Sequence, residues 1–388
     1  MLSGVKVLDF GRYVAGPYCA ALLADLGADV VRVERVGGGE DRSLGAVAAD
    51  GSGSFFLAVN RGKRGVALDP GAPGGADVVR RLVAWADVVV ANLPPAGLAA
   101  LGLDEASVRA VNERCVLTTV DAFGTTGPYA GRIGFDGIGQ VMSGSAHLSG
   151  VPGGPPMKAY VPWVDFSTAA FAALGTVAAL HSGLPGQKVE AALLRSALTV
   201  AGGALVEQAV RKVDRPPVGN RSHLAAPYDI CATRDGWVIV QVIGPVQFRR
   251  FCGLVGSPEW ADDPRFATDE QRVEHQELLT GRLLEWCRDR TTDEVLAALE
   301  QARIPAAPVL TPQEALDDPH VRAAGFLQPV PYGDLTVPTP VTPFTLSVDG
   351  PAIAGPAPML GEHTDEVLAE IGFGADDVAA LRAAGTVG

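Results

Sequence analysis

Several signatures that would fix a function at once are missing from the chain. The turn after its first strand-like run reads Gly11-Arg12-Tyr13-Val14-Ala15-Gly16-Pro17, so the Gly-x-Gly-x-x-Gly dinucleotide fingerprint is absent and nicotinamide chemistry is disfavoured. No Gly-x-x-x-x-Gly-Lys-Ser/Thr loop occurs, which removes P-loop kinases and ATPases. The five cysteines, Cys19, Cys115, Cys231, Cys252 and Cys287, show no Cys-x-x-Cys spacing, and their odd number argues against a disulfide framework. The six histidines contain neither His-Glu-x-x-His nor an i, i+4 pair, so no metal site is expected. Positive charge is scarce: 31 Lys and Arg face 44 Asp and Glu, a net charge of −13 that disfavours nucleic acid as a partner. No run of about 18 uncharged apolar residues suggests a membrane span, and no charged n-region precedes an apolar stretch at the start, so the expectation is a soluble cytoplasmic protein.

What is present is apolar material, 47% of 388 residues, more than one hydrophobic core usually serves. In the first 125 residues strand-like runs alternate with helical spacing. Val5 to Phe10 is followed by a helix over Tyr18 to Leu26 and a strand over Ala28 to Glu34. Arg64 to Asp69, Ala76 to Ala86 and Asp87 to Leu93 repeat the pattern, and a helix at Glu105 to Arg114 leads to a strand at Val116 to Asp121. The reading is an α/β fold, a Rossmann-like parallel-sheet large lobe over 1–212. Ligands gather at the carboxyl ends of such strands, which singles out the loops 11–17 and 92–97. An alanine-rich helix is expected over about Thr168 to His181. The texture then changes: 213–222 reads as a linker, and 223–325 as a smaller α+β lobe. That lobe opens with a hairpin turning at Arg234-Asp235-Gly236 and carries capping boxes at Thr291/Glu294 and Thr311/Glu314. Residues 326–388 read as a return segment docking on the large lobe.

Two carboxylates stand in apolar or glycine-rich surroundings, Asp136 in FDGIGQVMSG and Asp165 in WVDFSTAAFA. Asp165 precedes the alanine-rich helix. Two readings are open: an N-cap, or an ionised, partly desolvated carboxylate able to attack an acyl carbon. Backbone N–H groups of the helix terminus would favour the ionised form, so its pKa is expected to rise little. Asp136 reads as a turn or cap residue, or as an orienting partner for Asp165. Arg32, Arg35 and the run Asn60-Arg61-Gly62-Lys63-Arg64 form a compact basic cluster, which is either solvated surface charge or what a phosphorylated ligand requires.

Taken together, VLDFGRYVAGPYCAALLADLGADVVRVERVGGGEDR (7–42), VNRGKRGVALD (59–69), FDGIGQVMSG (135–144), the Asp165 segment and LGEHTDEVLAEIG (360–372) resemble the class III CoA-transferases. That family includes formyl-CoA and carnitine CoA-transferases and the related α-methylacyl-CoA racemases. The resemblance runs nearly end to end. It implies an interlocked homodimer, coenzyme A as co-substrate without metal or nucleotide, and transfer of CoA from an acyl-CoA donor to a carboxylic acid through a covalent intermediate on Asp165. It implies Asp136 and Gln140 beside that nucleophile, and Tyr13, Val14, Ala15, Arg35, Lys63, Arg64 and Asn92 at the CoA cleft. The alternatives are an acyl-CoA racemase acting at the α-carbon, or a non-catalytic CoA-binding subunit. The racemases place a histidine directly before the aspartate of the 135–144 motif, and Phe135, which stands there, cannot carry a proton. Two departures stand out. Asn92-Leu93-Pro94-Pro95-Ala96 replaces the family's Asn-Phe-x-Pro-Gly. The glycine-rich loop that some formyl-CoA transferases place over the active site is absent, with HLAAPYD (223–229) in its place.

Overall fold

The computed structural model describes residues 1–388. Short runs of β-branched residues form six strands: β1 (Lys6–Asp9), β2 (Asp29–Glu34), β3 (Lys63–Ala67), β4 (Val88–Ala91), β5 (Val116–Asp121) and β6 (Lys188–Ala192). They pair in parallel in the order β3-β2-β1-β4-β5-β6, with Val7 of β1 opposite Val30 on one side and Val88 on the other. This is the doubly wound order, and it reverses between β1 and β4. Because successive side chains point to opposite faces, Val7, Val88, Val90 and Val116 pack into one core, and Leu8, Val89 and Leu117 into another. The first core is covered by α1 (Ala15–Asp25) and by a long helix over Trp163–Ser182. The second is covered by the helix Gly75–Trp85 and, from the end of the chain, by Val367 and Leu368.

One compact unit comprises residues 1–144, 158–209 and 319–388. Its last segment returns to the sheet, as Arg64 binds Glu366 and Glu370, and Thr364 Oγ1 accepts from Ala67 N–H at 3.2 Å. The other unit comprises 145–157 and 210–318 and has its own core around Val238, Phe251, Leu279 and Leu283. The expected hairpin is there, Tyr228–Ala232 pairing with Trp237–Gln241, and Ala306–Pro308 adds a third strand. Both expected capping boxes form, and a third, Thr268/Gln271, accompanies them. All five cysteines are free and buried.

One expectation needs correction. The alanine-rich helix begins at Trp163, five residues before the expected start, because its first turn is capped from another helix. One helix, Trp163–Ser182, is also long and apolar enough to cross a membrane by length and composition. Here its alanines pack against the sheet: Ala169, Ala172 and Ala173 are buried, and Gly175 lets Val189 approach to where a Cβ would stand 2.7 Å from its Cγ1.

Candidate active site

The sheet's reversal point opens a crevice between the loops that follow β1 and β4. Backbone close approach shapes the first of them. A Cβ on Gly11 would stand 2.7 Å from Asp9 Oδ1 and from Pro17, and one on Gly16 would stand 3.2 Å from the Asn92 amide carbon. Asn92 then clamps the loop, accepting from Arg12 N–H at 2.7 Å and donating to the Arg12 carbonyl at 2.8 Å. Tyr13 follows with φ of 61°, a left-handed conformation uncommon outside glycine. Its ring meets Phe135 edge-on, the centroids 5.3 Å apart.

On the far side of the crevice two helices meet, α2 (Asp136–Met142) and α3 (Trp163–Ser182). Gly139 makes the contact possible, since a Cβ there would stand 2.7 Å from Val164 Cγ1. The first turn of α3 has no cap of its own, Pro162 offering no side-chain acceptor. Asp136 supplies it from α2. Its Oδ1 accepts from Val164 N–H at 2.8 Å and Asp165 N–H at 3.2 Å, and its Oδ2 accepts from Gln140 Nε2 at 2.6 Å. Gln140 is buried and is fixed in turn through Oε1, which accepts from Ala159 N–H at 2.8 Å.

Asp165 is therefore not the cap. Its carboxylate makes no hydrogen bond or ion pair within the chain, and it lines a cavity of about 420 Å³. Burial, with the neighbouring Asp136 charge second, raises its carboxyl to about 7. This overturns the expectation of a nearly unshifted group. The N–H groups that would have stabilised the Asp165 anion are spent on Asp136.

Tyr13, Val14, Ala15 and Asn92 line the same cavity as Asp165, so the structure brings these expected residues together. Arg35, Lys63 and Arg64 are not among its lining residues. Arg35 is exposed and pairs with Glu40 at 2.6 Å. Arg64 is committed to Asp29, Glu366 and Glu370. Lys63 is buried with all three donors used, at 2.7 Å to Asp9 Oδ2, 2.7 Å to the Pro17 carbonyl and 2.8 Å to Asn60 Oδ1. Burial lowers its ammonium to about 8, so it stays protonated at neutral pH. Asp9 in turn accepts from Gly11 N–H at 2.7 Å, so Lys63 and Asp9 anchor the 11–17 loop from beneath.

The wall also includes Arg12 of the 11–17 loop and Phe135, together with Asp121 to Thr125 and Ala130 to Gly134, which the sequence reading did not single out. Their signal was available for the loop after β5, since the rule that ligands sit at strand carboxyl ends applies to it as much as to 11–17 and 92–97. Asp121, the cavity's second carboxylate, accepts from Gly124 N–H. Arg132 stacks on Tyr129, 4.2 Å from the ring centroid.

A sequence profile described as CoA-transferase family III matches residues 2–364. A succinate–glutarate CoA-transferase of Agrobacterium fabrum is 38% identical over 389 residues, covering 95% of each chain. A succinyl-CoA–D-citramalate CoA-transferase of Chloroflexus aurantiacus is 33% identical, over 98% of this chain and 97% of the relative. Among solved structures, a CAIB/BAIF family protein from Brucella suis superposes with a TM-score of 0.85 at 34% identity, covering 95% of this chain and 99% of that one.

Proposed function

The chain belongs to CoA-transferase family III, an enzyme family that moves CoA between acyl-CoA and carboxylic acids, and from that premise we propose that Asp165 is the covalent nucleophile. The observation that carries the reading is an aspartate with no partner in the chain, in a cavity at the sheet's reversal point, held in the first turn of a helix whose N–H groups another carboxylate has taken.

The steps close on this geometry. An Asp165 oxygen attacks the acyl carbon of the donor thioester, the C–O bond forms, the C–S bond breaks and CoA leaves as thiolate. The thiolate attacks the Asp165 carbonyl carbon of the mixed anhydride, releasing the donor acid and leaving an aspartyl-CoA thioester. The acceptor carboxylate displaces CoA in the same way, and returning thiolate takes the acceptor's acyl carbon and frees Asp165. Thioester energy is conserved throughout. A carboxyl near 7 is more basic than an ordinary aspartate, so its anion is the better nucleophile, at the cost of being about half protonated at neutral pH. Asp136 and Gln140 fix the helix turn that carries it. Tyr13, Val14, Ala15 and Asn92 form the wall for CoA, with Arg12 and Arg132 as local cations. Phe135, packed on Tyr13, holds no proton for racemisation.

The two relatives described above are named for succinyl, glutarate and citramalate groups, so the substrate class proposed here is small dicarboxylic acids and their CoA thioesters. The working state is taken to be an interlocked homodimer in the cytoplasm. Incubation with succinyl-CoA followed by hydroxylamine tests the nucleophile. Mass spectrometry should find one hydroxamate, in the peptide containing Asp165, and an Asp165→Ala enzyme that still transfers CoA would refute the assignment.

A further inference from the structure

The loop from Gly11 to Tyr13 belongs to no helix or strand, yet its backbone groups are held by side chains from outside the loop. Gly11 N–H goes to Asp9, and Asn92 takes both backbone groups of Arg12. The other two bonds come from a pair the mechanism does not use. Arg32 Nη1 donates to the Gly11 carbonyl at 3.1 Å. Arg32 Nη2 donates to Asp41 Oδ2 at 2.7 Å, and the same oxygen accepts from Tyr13 N–H at 3.3 Å. Both side chains are almost wholly buried, Arg32 at 0% and Asp41 at 4% exposure. Asp41 Oδ1 is buried without a hydrogen-bond partner and lies against Gly39, where a Cβ would collide with it.

Burying charge is costly, and Arg32 also meets Asp9 at 3.6 Å and Glu34 at 3.5 Å, so it balances three buried carboxylates, of which Asp41 alone holds Tyr13. What the pair does contact is the residue with φ of 61°. An L-residue leaves that region unless its surroundings over-determine it. We propose that Asp41, oriented by Arg32, is a positioning residue for coenzyme A binding, holding Tyr13 in its left-handed conformation so that residues 12–15 keep the shape that receives the ligand. This rests on the reading that loop 11–15 forms the CoA wall. The clamp removes in advance the ordering that binding would otherwise require.

Four proteins test it by calorimetric titration with CoA and by steady-state kinetics with succinyl-CoA and glutarate: wild type, Asp41→Asn, Tyr13→Gly and the double variant. Asp41→Asn should weaken CoA about tenfold in Kd and raise KM for succinyl-CoA in parallel, with kcat changed less than about threefold. Glycine adopts positive φ without cost, so in the Tyr13→Gly background the same substitution should cost no more than about twofold. Equal losses in both backgrounds, or an unchanged Kd in folded Asp41→Asn, would overturn the clamp. Should Asp41→Asn fail to fold, hydrogen exchange on the wild type decides. Slow exchange at the amides of 11–13 before CoA is added supports a preformed loop, and fast exchange that slows only with CoA overturns it. A wild type that neither binds CoA nor transfers it would overturn the parent reading as well, which separates the two failures.

Discussion

At the scale of one residue, the chemistry and the stability of this fold pull in opposite directions at position 165. The folded chain retains there a proton that the unfolded chain releases at the ordinary aspartate value of 3.8. The sign follows from proton counts. Between 3.8 and about 7 the native state binds more protons, so Asp165 lowers stability as pH rises through that window, and the penalty is complete above it. A rise to about 7 corresponds to about 4 kcal/mol at roughly 1.4 kcal/mol per pKa step. Partial solvent access screens this to about 2 kcal/mol. Asp165→Asn is isosteric and uncharged, so urea unfolding at pH 8 should show it about 2 kcal/mol more stable than wild type, with the difference gone by about pH 3. The same variant should lose transfer activity. Sequence reading singled out Asp165 because an acid amid Trp163, Val164 and Phe166 is conspicuous. It misjudged the charge state, because which carboxylate takes the helix N–H groups depends on a helix whose start lies 27 residues earlier in the chain.

At the scale of elements, that assignment makes α2 and α3 one device. Asp136 serves as the structural cap of α3 and as the negative neighbour of Asp165, two roles that a substitution can separate. Asp136→Asn keeps an oxygen for the Val164 and Asp165 N–H groups and removes the charge, while its new amide confronts the Gln140 amide that Oδ2 now satisfies. Stability should fall by about 1–2 kcal/mol. The pH profile carries the sharper expectation. In wild type the acid limb of kcat/KM for the donor should fall with an apparent pKa of about 7, since only ionised Asp165 attacks. Losing the Asp136 charge should move that limb to lower pH. A limb that stays in place would mean that burial alone sets the Asp165 proton. Strands β1 to β5 and the helices Ala15–Asp25 and Gly75–Trp85 were legible from periodicity, down to Val116–Asp121 at its stated bounds. The FDGIGQ segment was read as a turn. Glycine lowers helix propensity, and the second of its two glycines is there for packing: Gly139 lets α2 approach Val164, a pressure visible only in three dimensions.

For the whole molecule, sequence reading separated two textures near residue 213, and the chain divides at 209/210 and again at 318/319. It did not foresee that residues 145–157 join the 210–318 unit, because a segment of thirteen residues carries no periodicity that ties it to a distant core. The helix Gly202–Arg211 poses the remaining question. None of its residues is buried, and Leu205, Val206 and Val210 are exposed, Val210 at 77%. A ten-residue helix has little intrinsic stability in water and owes its persistence to burying an apolar face. One chain leaves that face uncovered, and the proposed homodimer would cover it. Light scattering should therefore give twice the mass of a single chain, and urea midpoints should rise with protein concentration, since association stabilises by mass action. Val206→Asp places a charge on the face that would be buried, where an unpaired carboxylate is costly. It should yield monomers, or a chain that unfolds at much lower urea. Wild type scattering as one chain, or Val206→Asp matching wild type in mass and midpoint, would show that the helix is stable without a partner.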